Sequence, residues 1–440
     1  MTARSERLAA AAILAAAWGL YVAYAWPGFM TWDSIVELFE ARRGSYGNWH
    51  PPIMARLWSV LDGIVRGPAL MLVLQTGLFM LGLYGIFRRY AQPLRAAIVA
   101  ALVFLFPPVF APMSTIWKDS LMAAVVLCAV AGLASPRRAW QAAGWLAFVV
   151  AAALRHNAPI LIVPITTMII PYAPAWPAWR RRVLGAALGI AAALTGMAIS
   201  RALTKVDNYP LANMLAMQDV GAVIANAPAM TDAEVTALLD GVHLVAPADI
   251  QAHLRALDAT RSSYEALSQG DQPVFDFITT TPQADAMIHA WRRTLAAHPG
   301  AYLRYRLGRL ANLLGFADKR SIPYVMPQSE PRALLAKIGE VRSYSAFQRA
   351  VGRGLGGISR SILFWPMLYA VLGIGLLVIL WRDPVQRGLL AGALGYEVAL
   401  MFLAPGAEYR YSHWLVTCVV IATAVRFLGV ARARAEAAIC

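Results

Sequence analysis

Residues 118–157 read KDSLMAAVVLCAVAGLASPRRAWQAAGWLAFVVAAALRHN. Two apolar runs, 119–134 and 139–154, are fenced by charge: Lys118 and Asp119 before the first, Arg137 and Arg138 between them, Arg155 after the second. At roughly 1.5 Å per residue in a helix, each run covers much of the roughly 30 Å hydrocarbon core of a bilayer. The stretch therefore predicts a membrane helical hairpin whose two ends share one side.

Working outward, similar runs occur at 8–26, 68–87, 95–112, 158–172, 183–200, 361–380, 388–404 and 412–430, each bounded by charge, Pro or Trp. The composition agrees. Of 440 residues, 59% are hydrophobic and 14% charged, whereas a soluble domain carries roughly a quarter charged residues. A soluble fold would leave these runs unburied. The fold class expected is an all-α polytopic membrane protein of about ten transmembrane helices.

Charge sets the orientation independently of apolarity. If Arg4 and Arg7 stay in the cytoplasm, ten crossings leave both termini cytoplasmic. The inside loops then hold Arg88, Arg89 and Arg95, then Arg137 and Arg138, then Arg180 to Arg182, then Arg382 and Arg387, then Arg432 and Arg434. Every inside loop is basic. Moving the helix count by one before residue 183 would scramble that agreement. The formal charge of +15 is thus a membrane signature and no footprint of nucleic acid, because Lys and Arg cluster beside apolar runs and form no single stripe. Trp26-Pro27-Gly28 lacks a small-residue cleavage site, so the first run is expected to be a retained helix. Cys128 and Cys418 sit in apolar runs and Cys440 ends the chain, which gives no disulfide framework.

The organisation expected is transmembrane helices 1–7 in residues 1–200 with a first outer loop at 27–67, a mostly helical extracytoplasmic domain at 201–360 between helices 7 and 8, and helices 8–10 with a short tail in 361–440. Within the domain, Thr231-Asp-Ala-Glu234 reads as a capping box, and 284–315 as mixed-face helix broken at His298-Pro299-Gly300. No internal repeat, low-complexity tract or strand-rich stretch is present.

Five polar clusters fall on the outer side of this topology: Thr31-Trp-Asp33-Ser34, Asn48-Trp-His50-Pro-Pro52, Thr115-Ile-Trp-Lys118-Asp119, Arg155-His156-Asn157 and Glu408-Tyr409-Arg410-Tyr411. Lys118, Arg155 and Arg410 contradict the positive-inside bias, and charge at membrane depth costs roughly 2.5–3.5 kcal/mol at a helix centre. Each cluster also has a bland reading. Ser34-x-x-Glu37 is a capping box that would place Asp33 near a helix N-terminus; Trp117, Lys118 and Asp119 suit an aromatic-belt cap; Glu408 and Arg410 suit an interfacial salt bridge. Functionally, Asp33 offers a general base or a ligand for a divalent cation, and the His50 imidazole can position a carboxylate, donate to phosphate or bind metal. Lys118, Arg155 and Arg410 offer a phosphate clamp, with Asp119, His156, Asn157, Glu408, Tyr409 and Tyr411 in support. The histidines show no zinc spacing.

This placement resembles the bacterial GT-C integral-membrane glycosyltransferases, the protein mannosyltransferase-like and arabinosyltransferase-like enzymes. The chain is similar to them in its many helices, in Asp33 just after the first helix, in Trp49-His50-Pro51-Pro52 further along the first loop, and in a late outer domain. The resemblance implies inverting transfer of a hexosyl or pentosyl unit from a polyprenyl-phosphate sugar donor to a lipid, glycan or protein acceptor. Asp33 would be base or metal ligand, and the basic residues would hold the lipid phosphate. It implies an active face outside a bacterial cytoplasmic (inner) membrane, with membrane lipids as surroundings. A divalent cation, Mg or Mn, is an optional cofactor, since Ser follows Asp33 and no Asp-x-Asp pair occurs. The competing classes are a transporter or flippase, whose sites belong near the midplane, another lipid-sugar enzyme such as an O-antigen ligase, and a scaffold, which leaves the outer charges without a purpose.

Overall fold

A computed structural model describes residues 2–170, 175–245, 248–257, 264–316, 323 and 325–437. The helices in chain order are α1 (Ala3–Ala25), α2 (Trp32–Arg43), α3 (Pro52–Ile64), α4 (Ala69–Phe87), α5 (Pro93–Phe104), α6 (Pro107–Met113), α7 (Lys118–Leu133), α8 (Arg138–Leu154), α9 (Pro159–Met168) and α10 (Ala178–Leu203). Then come a π-helical turn at Leu211–Ala216, α11 (Met217–Asn226), α12 (Asp232–Leu238), α13 (Ile250–Ala256), α14 (Tyr264–Ser268), α15 (Thr281–Ala297), α16 (Pro299–Leu314), α17 (Arg332–Lys337) and α18 (Ala346–Ile358). The chain closes with α19 (Pro366–Ile379), α20 (Pro384–Leu403) and α21 (His413–Ala437). Among the described residues there is no strand, only isolated bridges such as Phe29 with Thr115.

Each apolar run read from the sequence contains α-helix, but 95–112 breaks at Leu105 and Phe106, 158–172 leaves the helix at Ile169, and 361–380 is α-helical only from Pro366. Among the described residues, Ala3–Ala25, Ala69–Phe87, Ala178–Leu203 and Tyr409–Gly429 are long and apolar enough to cross a bilayer unaided, and α5 with α6, bent by 70° to each other, would make a fifth if the pair is one span. The bend follows from Pro107 and Pro108, which cannot continue the α5 hydrogen-bond ladder. α8, α9 and α19 are apolar but shorter than the roughly 20 residues a straight span needs. Residues 171 and 172 of the expected run 158–172, and Cys440, lie outside the described residues, and the side chains of Arg432 and Arg434 are likewise not described.

The bundle packs through small residues. A Cβ on Gly144 of α8 would lie 2.8 Å from Ala129 O of α7, and one on Gly196 of α10 would lie 2.5 Å from Val149 O of α8, so these backbones approach as only glycine permits. Helices α7, α8 and α20 run the depth of the bundle, so both of its ends are built from the same elements. Two apolar cores result: one within the bundle, and a second formed by residues of 212–290 around Met217, Leu254, Phe275 and Met287. Residues 325–355 join the bundle core through Met326, Leu335, Tyr344 and Leu355.

The two cores are tied at Arg306 of α16. Its guanidinium meets Asp219 of α11 at 2.7 Å and donates to Met401 O and Ala404 O at 3.4 Å, where α20 ends. Trp291 Nε1 of α15 donates to the same carboxylate at 2.8 Å. The Thr231 box and the break at His298 both form as the sequence predicts.

Candidate functional site

The segment between α1 and α2 is held from both sides. Gly28 has φ +117°, a conformation that glycine adopts without strain, and a Cβ there would press on Ile116. Phe29 N donates to Ser114 O at 3.2 Å, Ile116 N donates to Phe29 O at 2.9 Å, and Ser34 Oγ donates to Ile116 O at 2.5 Å. From the other side, Met30 N donates to Glu330 Oε1 at 2.8 Å and Arg342 to Gly28 O at 2.7 Å. Asp33 therefore stands on a fixed turn in the first turn of α2, where the helix dipole favours a carboxylate.

The capping box differs from the one expected. Thr31 is the N-cap and Ser34 its reciprocal partner, with Thr31 N donating to Ser34 Oγ at 3.2 Å. Glu37 is released from capping and turns inward, 1% exposed, with no hydrogen-bond partner on either oxygen. Trp117, read from the sequence as an aromatic-belt residue, is 3% exposed and donates to Thr31 Oγ1 at 2.7 Å, so its ring packs within the protein and braces the site. α3 starts at Pro52, as the double proline implies, and leaves His50 buried just before it.

Four side chains then form one chain of contacts. The Lys118 ammonium donates to His50 Nδ1, His50 Nε2 faces Asp33 Oδ1 at 3.8 Å, and the other Asp33 oxygen pairs with Arg410. The Lys118 contact assigns the imidazole hydrogen to Nε2, the atom directed at Asp33. Arg410 is shared, its Nε meeting Glu408 Oε2 at 2.6 Å. Beside it, Arg155 pairs with Asp119, and its Nε donates to Asn157 Oδ1 at 2.9 Å. The two guanidiniums lie 5.3 Å from the Tyr411 ring centre. His156 Nε2 lies 3.4 Å from Asn48 O.

Burial opposes ionisation of Asp33, but Arg410, with His50 and Lys118, outweighs it and holds the carboxyl well below the usual carboxylate range. His50 is pushed down to about 3 by burial and by the Lys118 charge, so it is neutral at physiological pH. Glu37 is pushed up to about 8, chiefly by burial, which Lys118 only partly offsets while Asp33 adds to it.

These residues open on one cavity of about 550 Å³. Asp33, Lys118, Arg155, Glu265, Glu408 and Arg410 form its charged wall, with neutral His50 among them; Leu211, Met214, Leu215 and Leu403 form its apolar wall. His156, Asn157 and Tyr411 also line it. Asp119 and Tyr409 stand behind the lining, Asp119 paired with Arg155 and Tyr409 directing its hydroxyl at Pro108 O, 3.4 Å away. Trp49 and Tyr264, with rings 4.9 Å apart, close another side. The apolar wall comes from the π-helical turn and the end of α20, whose chemistry carried no signal in the sequence.

Among the described residues, no group of three or more His, Cys, Asp or Glu side chains is placed to hold a metal ion. The donor chemistry near Asp33 argues the same way, because Arg410, Lys118 and Arg155 alternate with the carboxylates and would repel a divalent cation.

No protein-family model and no curated protein matches the chain. Among solved structures, it is similar to ArnT from Cupriavidus metallidurans in the apo state, with 13% identity and a TM-score of 0.34, over 94% of this chain and 77% of that one. It is similar also to the same protein bound to undecaprenyl phosphate, with 15% identity and a TM-score of 0.31 over the same shares.

Proposed function

We propose that this protein transfers a sugar from a polyprenyl-phosphate donor to a hydroxyl of a lipid, glycan or protein acceptor. It works at the outer face of a bacterial cytoplasmic membrane, which the chain crosses ten times with both termini inside, residues 201–360 lying outside. One observation carries the reading: a cavity at the end of a helical bundle whose lining joins charged side chains to apolar ones. A polyprenyl-phosphate sugar divides in the same way, into an anionic linkage, a polar ring and an apolar tail.

In the resting site three cations (Lys118, Arg155, Arg410) stand among the carboxylates of Asp33, Asp119 and Glu408, and Glu265 adds a further carboxylate to the lining. Paired with Arg410, Asp33 is a weak proton acceptor. The donor phosphate, being anionic, draws Arg410 toward itself, which raises the basicity of Asp33 as the substrate enters. The acceptor oxygen attacks the anomeric carbon opposite the phosphate and its proton passes to Asp33. As the new C–O bond forms, the bond to the phosphate oxygen breaks and leaves its electron pair there. The departing phosphate gains negative charge, which Arg410, Arg155 and Lys118 stabilise inside a site partly shielded from water. Neutral His50 holds its Nε2 3.8 Å from Asp33 Oδ1, beyond hydrogen-bond length, and separates that carboxylate from Lys118. No divalent cation is required, since the three side-chain cations supply the positive charge.

The test is direct. Purified protein incubated with polyprenyl-phosphate hexose or pentose and a membrane extract releases polyprenyl phosphate and yields a glycosylated product detectable by mass spectrometry. A deletion strain with unchanged surface glycans and altered solute uptake would instead make it a transporter. Reporter fusions at 45, 115, 156, 280 and 408 read extracytoplasmic if the orientation is right, and one cytoplasmic signal breaks it.

A further inference from the structure

The bundle has a second cavity, about 630 Å³, lined by Arg89, Arg181, Arg182, Arg382 and Arg387. It lies at the other end of the helices that build the first. α8 leads from Gln141 in this lining to Arg155 in the other, and α20 leads from Pro384 here to Leu403 there. At 1.5 Å per residue the step from Gln141 to Arg155 spans roughly 21 Å and that from Pro384 to Leu403 roughly 28 Å, close to the thickness of a hydrocarbon core.

The positive-inside bias accounts for arginine in each of these connections. It does not account for arginines from the α4–α5 turn, the start of α10 and the α19–α20 connection converging on one hollow. Among the described residues, no carboxylate lines it. Asp383 is adjacent, but its Oδ1 is engaged by Val385 N at 2.9 Å and Gln386 N at 3.1 Å as the cap of α20. Arg387 donates to Trp381 O at 3.2 Å, and the buried Nε atoms of Arg181 and Arg387 have no partner. Gathered guanidiniums with unused, inward donors are a site that lacks its anion, and forked donors match a phosphate.

The surroundings indicate where the phosphate comes from. Trp140, Trp176, Trp179 and Trp381, on the same helix ends, are each about half exposed or more, as aromatic side chains are at the headgroup level of a bilayer. We propose that this cavity binds the phosphate of an anionic glycerophospholipid from the leaflet at that end, with Leu133, Ile169 and Val385 against its glycerol and upper chains. The site is separate from sugar transfer and does not depend on that reading.

The experiment uses the full-length protein in neutral detergent, titrated with phosphatidylglycerol, phosphatidylcholine or inorganic phosphate and followed by thermal melting and native mass spectrometry. Phosphatidylglycerol raises the melting temperature and stays bound, and phosphatidylcholine does neither. The double variant Arg181→Gln/Arg387→Gln binds phosphatidylglycerol roughly tenfold or more weakly, whereas Arg137→Gln/Arg138→Gln, which removes equal charge at the same end from outside the cavity, leaves binding unchanged. Equal losses in the two double variants would reduce the effect to diffuse surface charge and overturn the site. Stabilisation by inorganic phosphate with none by phosphatidylglycerol would overturn the lipid assignment.

Discussion

Asp33 and Arg410 form a direct ion pair although 377 residues separate them in the chain. The pair joins α2 to the turn that leads into α21, and Arg410 carries Glu408 on its other edge. Replacing Asp33 by Asn preserves the shape and removes the proton acceptor. We expect sugar transfer to fall by roughly 10²- to 10⁴-fold, with membrane insertion and elution profile unchanged. Full activity of purified D33N would remove Asp33 from the mechanism.

The cations are expected to divide their effects. Arg410→Gln and Arg155→Ala each remove a charge-assisted contact to the donor phosphate, and the apparent KM for donor should rise roughly 10- to 100-fold. Lys118→Met acts through His50 and should lower kcat more than it raises KM. Unchanged donor KM in both arginine variants would show that the phosphate lies elsewhere.

The long elements were legible because a bilayer forces each crossing to declare itself locally, as an apolar run ending in charge or proline; Ala69–Phe87 begins one residue from the expected start. Which residues share the cavity was partly legible. Lys118, Arg155 and Arg410 stood out as charges on the wrong side, and all three line the cavity. Their pairing was not legible, since which carboxylate meets which cation is decided by contacts tens to hundreds of residues apart, such as Ser34 with Ile116. Glu37 was hidden for a different reason: Thr31 and Ser34 both have capping side chains, and a shift of the cap by three residues turns Glu37 from a surface partner into a buried acid. Asp219 and Arg306, in a polar region with many charges, carried no mark of their burial.

Glu37 gives the protein a defined pH dependence. In the unfolded chain its carboxyl titrates near 4.5, and in the fold near 8. Between these values the native state holds a proton that the unfolded state has lost, so stability falls as pH rises through this window and levels off above it. Glu37→Gln removes that loss. The variant should melt at nearly the wild-type temperature near pH 4.5 and several degrees above it at pH 8.5 or higher. A constant difference across pH would mean that Glu37 is already ionised in the fold.

Chelation separates the two electrostatic designs. With Lys118, Arg155 and Arg410 supplying the positive charge, EDTA treatment should leave donor turnover within about twofold of the untreated enzyme. A loss restored by Mg or Mn would assign a cation to Asp33 and displace Arg410 from its present role.

Asp219 and Arg306 bind the second core to the bundle, and Gln218, the residue before Asp219, lines the cavity. Arg306 is 2% exposed, so Arg306→Met leaves the Asp219 carboxylate buried with only Trp291 as donor. Breaking one side of such a pair costs roughly 3–5 kcal/mol, whereas replacing both charges by apolar groups recovers much of that. Arg306→Met should therefore lower the melting temperature sharply, and Asp219→Leu/Arg306→Met should restore most of it. Because the apolar wall of the cavity hangs from α11 through the π-helical turn, the single variant should also raise donor KM and the double variant lower it again. If the double variant is no more stable than the single one, the hydrogen bonds from Arg306 to Met401 O and Ala404 O, and not the charge pair, hold the two cores together.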